Sequence, residues 1–169
     1  MQAVTVIGID PGSRRTGWGV VREESGRLTL LECGVVRAAP GETSFSVRLA
    51  HIYHELLSIL SSHVPDEAAV EQVFTAKNAL AALKLGQARG VAVAACAAHG
   101  LSISDYAPAL VKQGLVGTGR AEKEQVAFMV KRLLNVRGTA MPLDASDALA
   151  VALCHLNMRR FARLTGVER

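Results

Sequence analysis

Apolar and polar residues follow two different periods along the chain, one typical of strands and one typical of helices. An apolar run from Ala3 to Ile9 predicts a buried strand that ends at Asp10. Two more strands are predicted at 17–22 and 28–37, because a short polar turn, Glu24-Ser25-Gly26, separates these β-favouring segments. We therefore expect the chain to begin with three consecutive strands.

Strand and helix patterns alternate in the remainder of the chain. Short strands are predicted at 68–72 and 101–106, and helices at 46–62, at 78–98, from Pro108, at 122–134 and at 143–160. The helix at 78–98 is rich in Ala and Leu, so we expect it to be largely buried. This order predicts an α/β protein with a mixed five-stranded sheet flanked by helices.

Composition and length narrow the class of protein. With 169 residues, one domain is the default expectation. A formal net charge of +4 permits a polyanionic partner without requiring one. Three separated cysteines, Cys33, Cys96 and Cys154, suggest neither a disulfide framework nor a zinc site. We expect a soluble cytoplasmic protein without a membrane segment, because the sequence has neither a signal-peptide pattern nor a run of about 18 apolar residues.

Four acidic residues lie beside sequence of the buried type. Asp10 ends one apolar strand, Glu71 ends another, and Asp144 and Asp147 begin a helix that continues with an apolar run. A carboxylate removed from water costs several kcal/mol unless it is paired or coordinated. Oxygen ligands favour hard cations, so the four acids predict a site for Mg²⁺ or Mn²⁺.

The spacing of the last two acids supports a shared site. Asp144 and Asp147 are three residues apart, which places them on one face of a helix. Two ions about 3.5 to 4 Å apart, held by four carboxylates, suit in-line phosphodiester hydrolysis.

Each acid also has a purely structural interpretation. An Asp-x-x-Asp pattern at a helix start resembles a capping box, Asp10 before Pro-Gly is a turn former, and Glu71 is a charge at a strand end. The five histidines, which lack a metal-ligand spacing, are expected at the surface or in packing: His51, His54, His63, His99 and His155.

Four segments resemble, in order and over nearly the whole chain, the RuvC family of Holliday-junction resolvases: GIDPGSRRTGWGV, VEQVFTAKNALAALKLGQARG, VKQGLVGTGRAEKEQV and LDASDALAVALCH. The family's four metal-binding acids match Asp10, Glu71, Asp144 and Asp147. The resemblance implies an RNase H-like fold, a homodimer, and two Mg²⁺ or Mn²⁺ ions per active site. It also implies paired nicks that leave a 5′-phosphate and a 3′-hydroxyl, and partnership with the RuvA-RuvB branch-migration complex in recombination and repair.

The resemblance assigns further residues to DNA. Phe74 matches an aromatic residue that contacts unstacked bases, and Lys112 and Lys123 match basic residues near the cleaved strand. Arg14 is a further candidate for the DNA face, although the periodicity of the sequence does not distinguish it from an ordinary surface residue. The matched segments place a nuclease domain at 1–160 and a tail of unassigned function at 161–169.

Two other functions remain open on sequence grounds. GIDPGS resembles the phosphate-binding turn of actin-like and sugar-kinase ATPases, which would make the chain an ATP phosphotransferase. Those proteins need two such domains to enclose the nucleotide, and this chain has the length of one. A non-catalytic DNA-binding module is the second alternative, and the complete set of four acids argues against it.

Overall fold

A computed structural model describes residues 3–37, 41, 44–73, 78–136 and 141–166 of the chain. Five strands and five helices lie in these ranges, and each predicted element is present. They are β1 (Val4–Asp10), β2 (Arg15–Glu24), β3 (Arg27–Arg37), α1 (Phe45–His63), β4 (Glu67–Glu71), α2 (Ala79–Ala98), β5 (Ser102–Tyr106), α3 (Pro108–Val116), α4 (Lys123–Leu133) and α5 (Leu143–Thr165).

The strands form one mixed sheet in the order β3-β2-β1-β4-β5. The first three strands are antiparallel neighbours, and Ser25-Gly26 forms the tight turn between β2 and β3 with positive φ angles. Strands β4 and β5 run parallel to β1. The predicted mixed five-stranded sheet flanked by helices is therefore confirmed, and the carboxyl ends of β1 and β4 meet at one edge of the sheet.

Helix α5 is the central helix of one face of the sheet. Eleven of its residues, between Ala145 and Leu156, are buried against the sheet, α3 and α4. It lies so close to β1 that a methyl group added at Gly8 would overlap the carbonyl oxygen of Ala148. Small residues along α5 allow this approach, and the first turn of the helix is thereby fixed against the sheet.

The opposite face of the sheet is covered by α1 and α2. Helix α1 buries Ile52, Leu56 and Leu60, which have the spacing of one helix face.

The expectation that α2 is largely buried is wrong, because only Ala88, Ala92, Ala95 and Cys96 are buried among its residues. Alanine is common on both the buried and the exposed faces of helices. The many alanines of α2 therefore did not predict which of its faces packs against the core.

Much of the surface of α2 is apolar and exposed. Leu80 and Leu83 are both 60% exposed. Among the described residues, α2 is the one helix that is long and apolar enough to cross a membrane. Core and interface helices of other proteins also meet this test of length and hydropathy. Length and hydropathy alone therefore give no assignment for this surface.

Helix α5 continues beyond the predicted end at position 160. It extends to Thr165, and Gly166 follows in the left-handed conformation that commonly ends helices. The segment Phe161-Ala162-Arg163-Leu164 contains no strong helix breaker, which explains the extra turn.

Candidate active site

Asp10 and Glu71 are neighbours at the carboxyl ends of two adjacent parallel strands. Ile9 pairs with Val70 in the sheet, so the next residue of each strand projects from the same edge. Their carboxyl groups interact as a hydrogen-bonded pair in which Glu71 donates and Asp10 accepts. The sheet register therefore brings together two acids that are far apart in sequence.

The first turns of α5 bring the other two acids to the same edge. Gly17 makes this possible, because a methyl group there would overlap the carbonyl oxygen of Asp144. Pro142 is the N-cap residue of α5, so Asp144 lies inside the first turn and is not the capping residue. The charges of Asp144 and Asp147 both act on Asp10, which shows that the three acids share one electrostatic environment.

Two basic side chains reach these acids. The Lys123 ammonium lies 2.7 Å from an oxygen of Asp147. Arg15 lies 3.9 Å from Asp144, with both side chains partly in water, so this pair contributes little stability. The resemblance placed Lys123 near the cleaved strand, but the sequence did not predict that Arg15 contacts Asp144, because that contact joins the start of β2 to α5.

The buried position of Asp10 and Glu71 disfavours two negative charges. Burial raises the pKa of Asp10 from 3.8 to about 6, and the charge of Asp147 acts in the same direction. Burial also raises the pKa of Glu71 from 4.5 to about 8, with the charge of Asp10 as the next cause. At neutral pH the free protein thus retains a proton on this pair.

The donor set fits a hard divalent cation. Four carboxylates supply only oxygen ligands, and a cation would favour the ionised form of the two buried acids. Among the residues that the structure describes, no three acidic, His or Cys side chains are arranged as a ready-made metal cluster. Lys123 neutralises Asp147 in this arrangement, so loading a cation requires side-chain adjustment.

The remaining residues assigned to DNA lie in different settings. Lys112 is half-buried on α3, and Arg14 is exposed next to Arg15. Neither forms an ion pair with the four acids in the described ranges. Phe74 lies outside the described residues.

A buried polar chain lies on the α5 face, beside the amino-terminal end of β4. His155 contacts the Tyr106 hydroxyl at 2.8 Å through Nδ1 and Glu67 at 2.7 Å through Nε2. Arg159 donates to the second oxygen of Glu67 at 2.8 Å. Burial acts to raise the pKa of Glu67, but His155 and Arg159 together hold it below its usual value. The sequence predicted His155 as a packing or surface residue and gave no sign of this chain.

Comparison with known proteins gives a consistent result. The family model described as Crossover junction endodeoxyribonuclease RuvC matches residues 6–155. A crossover junction endodeoxyribonuclease RuvC of Oleidesulfovibrio alaskensis is 64% identical over 163 residues, which are 96% of each chain.

Solved structures agree with the sequence comparison. Thermus thermophilus RuvC in complex with a Holliday junction is 36% identical with a TM-score of 0.86, over 94% of this chain and 96% of that one. The yeast mitochondrial Holliday junction resolvase has a TM-score of 0.65 at 11% identity, over 95% of this chain and 84% of that one. The second likeness concerns the fold alone, and the neighbours together support the predicted RNase H-like fold.

Proposed function

The chain belongs to the RuvC family of crossover junction endodeoxyribonucleases, and on that premise we propose how its acids cut DNA. Members of this family resolve Holliday junctions in recombination and repair. The proposed substrate is four-way junction DNA, and the proposed catalytic residues are Asp10, Glu71, Asp144 and Asp147. The observation that carries the proposal is the meeting of two buried acids on adjacent strands with two acids on α5.

The proposed chemistry is metal-dependent phosphodiester hydrolysis. Two Mg²⁺ or Mn²⁺ ions held by the four acids would activate a water molecule and stabilise the leaving 3′ oxygen, which gives 5′-phosphate and 3′-hydroxyl ends. Asp10 and Glu71 must lose their shared proton before both can act as ligands. Lys123 is proposed to hold Asp147 in the free protein and to contact the phosphate of the cleaved strand in the complex.

Replacing each acid by its amide tests the catalytic assignment. Asp10→Asn, Glu71→Gln, Asp144→Asn and Asp147→Asn should each reduce nicking of a synthetic four-way junction by several orders of magnitude. Junction binding should persist, since phosphate contacts elsewhere supply most of the affinity. Glu24→Gln removes an exposed acid on β2 and is the matched control, so it should nick at the wild-type rate. A wild-type rate in any of the four variants would remove that residue from the site.

Substrate comparison separates this proposal from the two alternatives. The wild-type protein should nick a four-way junction faster than linear duplex or an RNA-DNA hybrid, and EDTA should stop the reaction. ATP hydrolysis without DNA cleavage would instead support a phosphotransferase. Junction binding without cleavage in Mg²⁺ and in Mn²⁺ would support a DNA-binding module.

Phe74 is proposed to stack on a base exposed at the crossover. Stacking of this kind is worth about 1 to 3 kcal/mol and would hold the scissile phosphate over the acids. Phe74→Ala should lose junction nicking while Phe74→Tyr keeps much of it. A large fall in melting temperature with a matching loss of activity would instead identify Phe74 as a core residue.

Three further proposals concern the surroundings of the site. Lys112 and Arg14 are proposed to contact the DNA backbone, and residues 1–160 to form the nuclease domain. We propose that the enzyme acts in the cytoplasm as a homodimer with the RuvA-RuvB branch-migration complex. Two symmetric cuts require two identical sites, which a two-fold dimer supplies.

A further inference from the structure

The last two turns of α4 present an aromatic ring beside two cations. Phe128 is 64% exposed, and it lines an open depression of about 600 Å³ with Lys131, Arg132, Asn135 and Val136. Within the described ranges no carboxylate forms an ion pair with Lys131 or Arg132, whereas several other cations have such partners. The depression therefore has a positive charge that no described acid neutralises.

Helix α4 connects this depression to the acidic site. The helix begins at Lys123, whose ammonium bonds Asp147. Lys131 follows eight residues later, which corresponds to about 12 Å at 1.5 Å per residue. The two cations are therefore separated by about two turns along α4, with Lys131 about 80° around the helix axis from Lys123.

A local explanation accounts for only part of the arrangement. Lys131 and Arg132 lie at the carboxyl end of α4, where positive charge complements the helix dipole. Phe128 precedes Lys131 by three residues and Arg132 by four, so it lies on the same side of the helix. The helix dipole does not explain why its apolar ring remains exposed to water. Glu124 lies one turn before Phe128 and limits the positive surface to the last two turns.

We propose that Phe128, Lys131 and Arg132 bind the phosphate backbone of a junction arm, a contact that rests on the proposed junction cleavage. The cations neutralise phosphates, which positions the arm without reading its sequence. The Phe128 ring packs on a sugar or on an exposed base face. The contact fixes the direction in which an arm leaves the acidic site.

The salt dependence of binding tests this contact. The double variant Lys131→Ala/Arg132→Ala removes two cations, and Arg27→Ala/Arg163→Ala removes two exposed cations elsewhere as the matched control. Affinity for a four-way junction is measured by fluorescence anisotropy in EDTA from about 0.05 to 0.3 M salt. Each lost phosphate contact reduces the slope of log affinity against log salt by about 0.9, so the double variant should lose about 1.8 units and bind on the order of tenfold more weakly.

Several outcomes would overturn the proposal. An unchanged slope in the double variant would do so and would leave an acidic protein as the candidate partner. An equal change in the control pair would show a general charge effect and would also overturn it.

Phe128→Ala should weaken binding without changing the slope, and Phe128→Tyr should restore the affinity. Full affinity in Phe128→Ala would exclude the ring from the contact. Melting curves check that each variant folds, and Lys131→Gln/Arg132→Gln replaces any double variant that does not.

The same experiment distinguishes a failure of the proposed junction cleavage from a failure of the proposed arm contact. Wild-type nicking of the junction is measured in parallel with Mg²⁺. A wild-type protein that never nicks the junction contradicts the proposed function, whatever the salt slopes show. A wild-type protein that nicks, together with an unchanged slope in the double variant, contradicts only the arm contact.

Discussion

The shared proton of Asp10 and Glu71 gives the free protein a dependence on pH. The pKa of Glu71 is about 8 in the folded chain, above its ordinary value of 4.5. Between these values the unfolded chain releases the proton that the folded chain retains, so stability falls as pH rises. Glu71→Gln cannot ionise and should therefore melt at a higher temperature than the wild type at pH 8.

Melting temperatures measured from pH 4 to pH 9 without divalent cations test this expectation. The gain from Glu71→Gln should be smallest near pH 4.5 and should grow up to about pH 8. Glu24→Gln removes an exposed acid at a strand end outside the site and is the control. A constant difference across the range would mean that Glu71 is ionised in the free protein.

Glu67 should produce the opposite trend. Burial acts to raise its pKa, but His155 and Arg159 together hold the pKa below 4.5. A lowered carboxyl pKa stabilises the folded chain above the unfolded value, and this contribution is lost as pH falls through the folded value. Glu67→Gln should therefore lower the melting temperature at pH 7, and the difference should narrow below about pH 4.5. A difference that stays constant down to pH 3 would contradict the lowered pKa.

At the level of elements, the contact between β2 and α5 positions the acids. A methyl group at Gly17 would overlap the backbone of Asp144, so Gly17→Ala must displace the first turn of α5 or the start of β2. Overpacking of this kind typically costs about 1 to 3 kcal/mol, and an error of about 1 Å in geometry can cost on the order of a hundredfold in rate. Junction nicking should fall more steeply than stability.

Gly90→Ala on α2 is the matched control for this substitution. A methyl group added there would meet no atom within 4 Å apart from its chain neighbours and the adjacent backbone of its own helix, and Ala favours a helix over Gly by about 0.5 to 1 kcal/mol. It should keep wild-type nicking and melt slightly higher. Unchanged nicking and melting in Gly17→Ala would show that the two backbones can separate without cost.

Local patterns predicted the elements better than they predicted their contacts. Helix α1 begins and ends within one residue of the predicted range 46–62, because its apolar spacing is a property of the segment alone. The burial of α2 was predicted wrongly, because it depends on which neighbours the fold supplies. The four acids were predicted as a site from their place at strand and helix ends, whereas the contact of Arg15 with Asp144 depends on a crossing of β2 and α5 that no single segment encodes.

At the level of the whole molecule, α2 is the candidate surface for a two-fold partner. Its apolar exposed side chains include Leu80 and Leu83, and burying such residues would favour association. Sedimentation should show a dimer at micromolar concentration, and Leu80→Glu/Leu83→Glu should shift it towards monomer. Leu164→Glu, at the still more exposed end of α5, is the control. Monomer alone, both free and with junction DNA, would contradict the dimer.

The position of α5 along the chain has a consequence for synthesis on the ribosome. This last described helix supplies two of the four acids and eleven buried residues. A growing polypeptide that has not reached Leu143 therefore lacks two of the four proposed catalytic acids and the buried residues at the centre of one face of the sheet. On the proposed assignment, DNA cleavage therefore requires a chain that has been synthesised at least as far as Asp147.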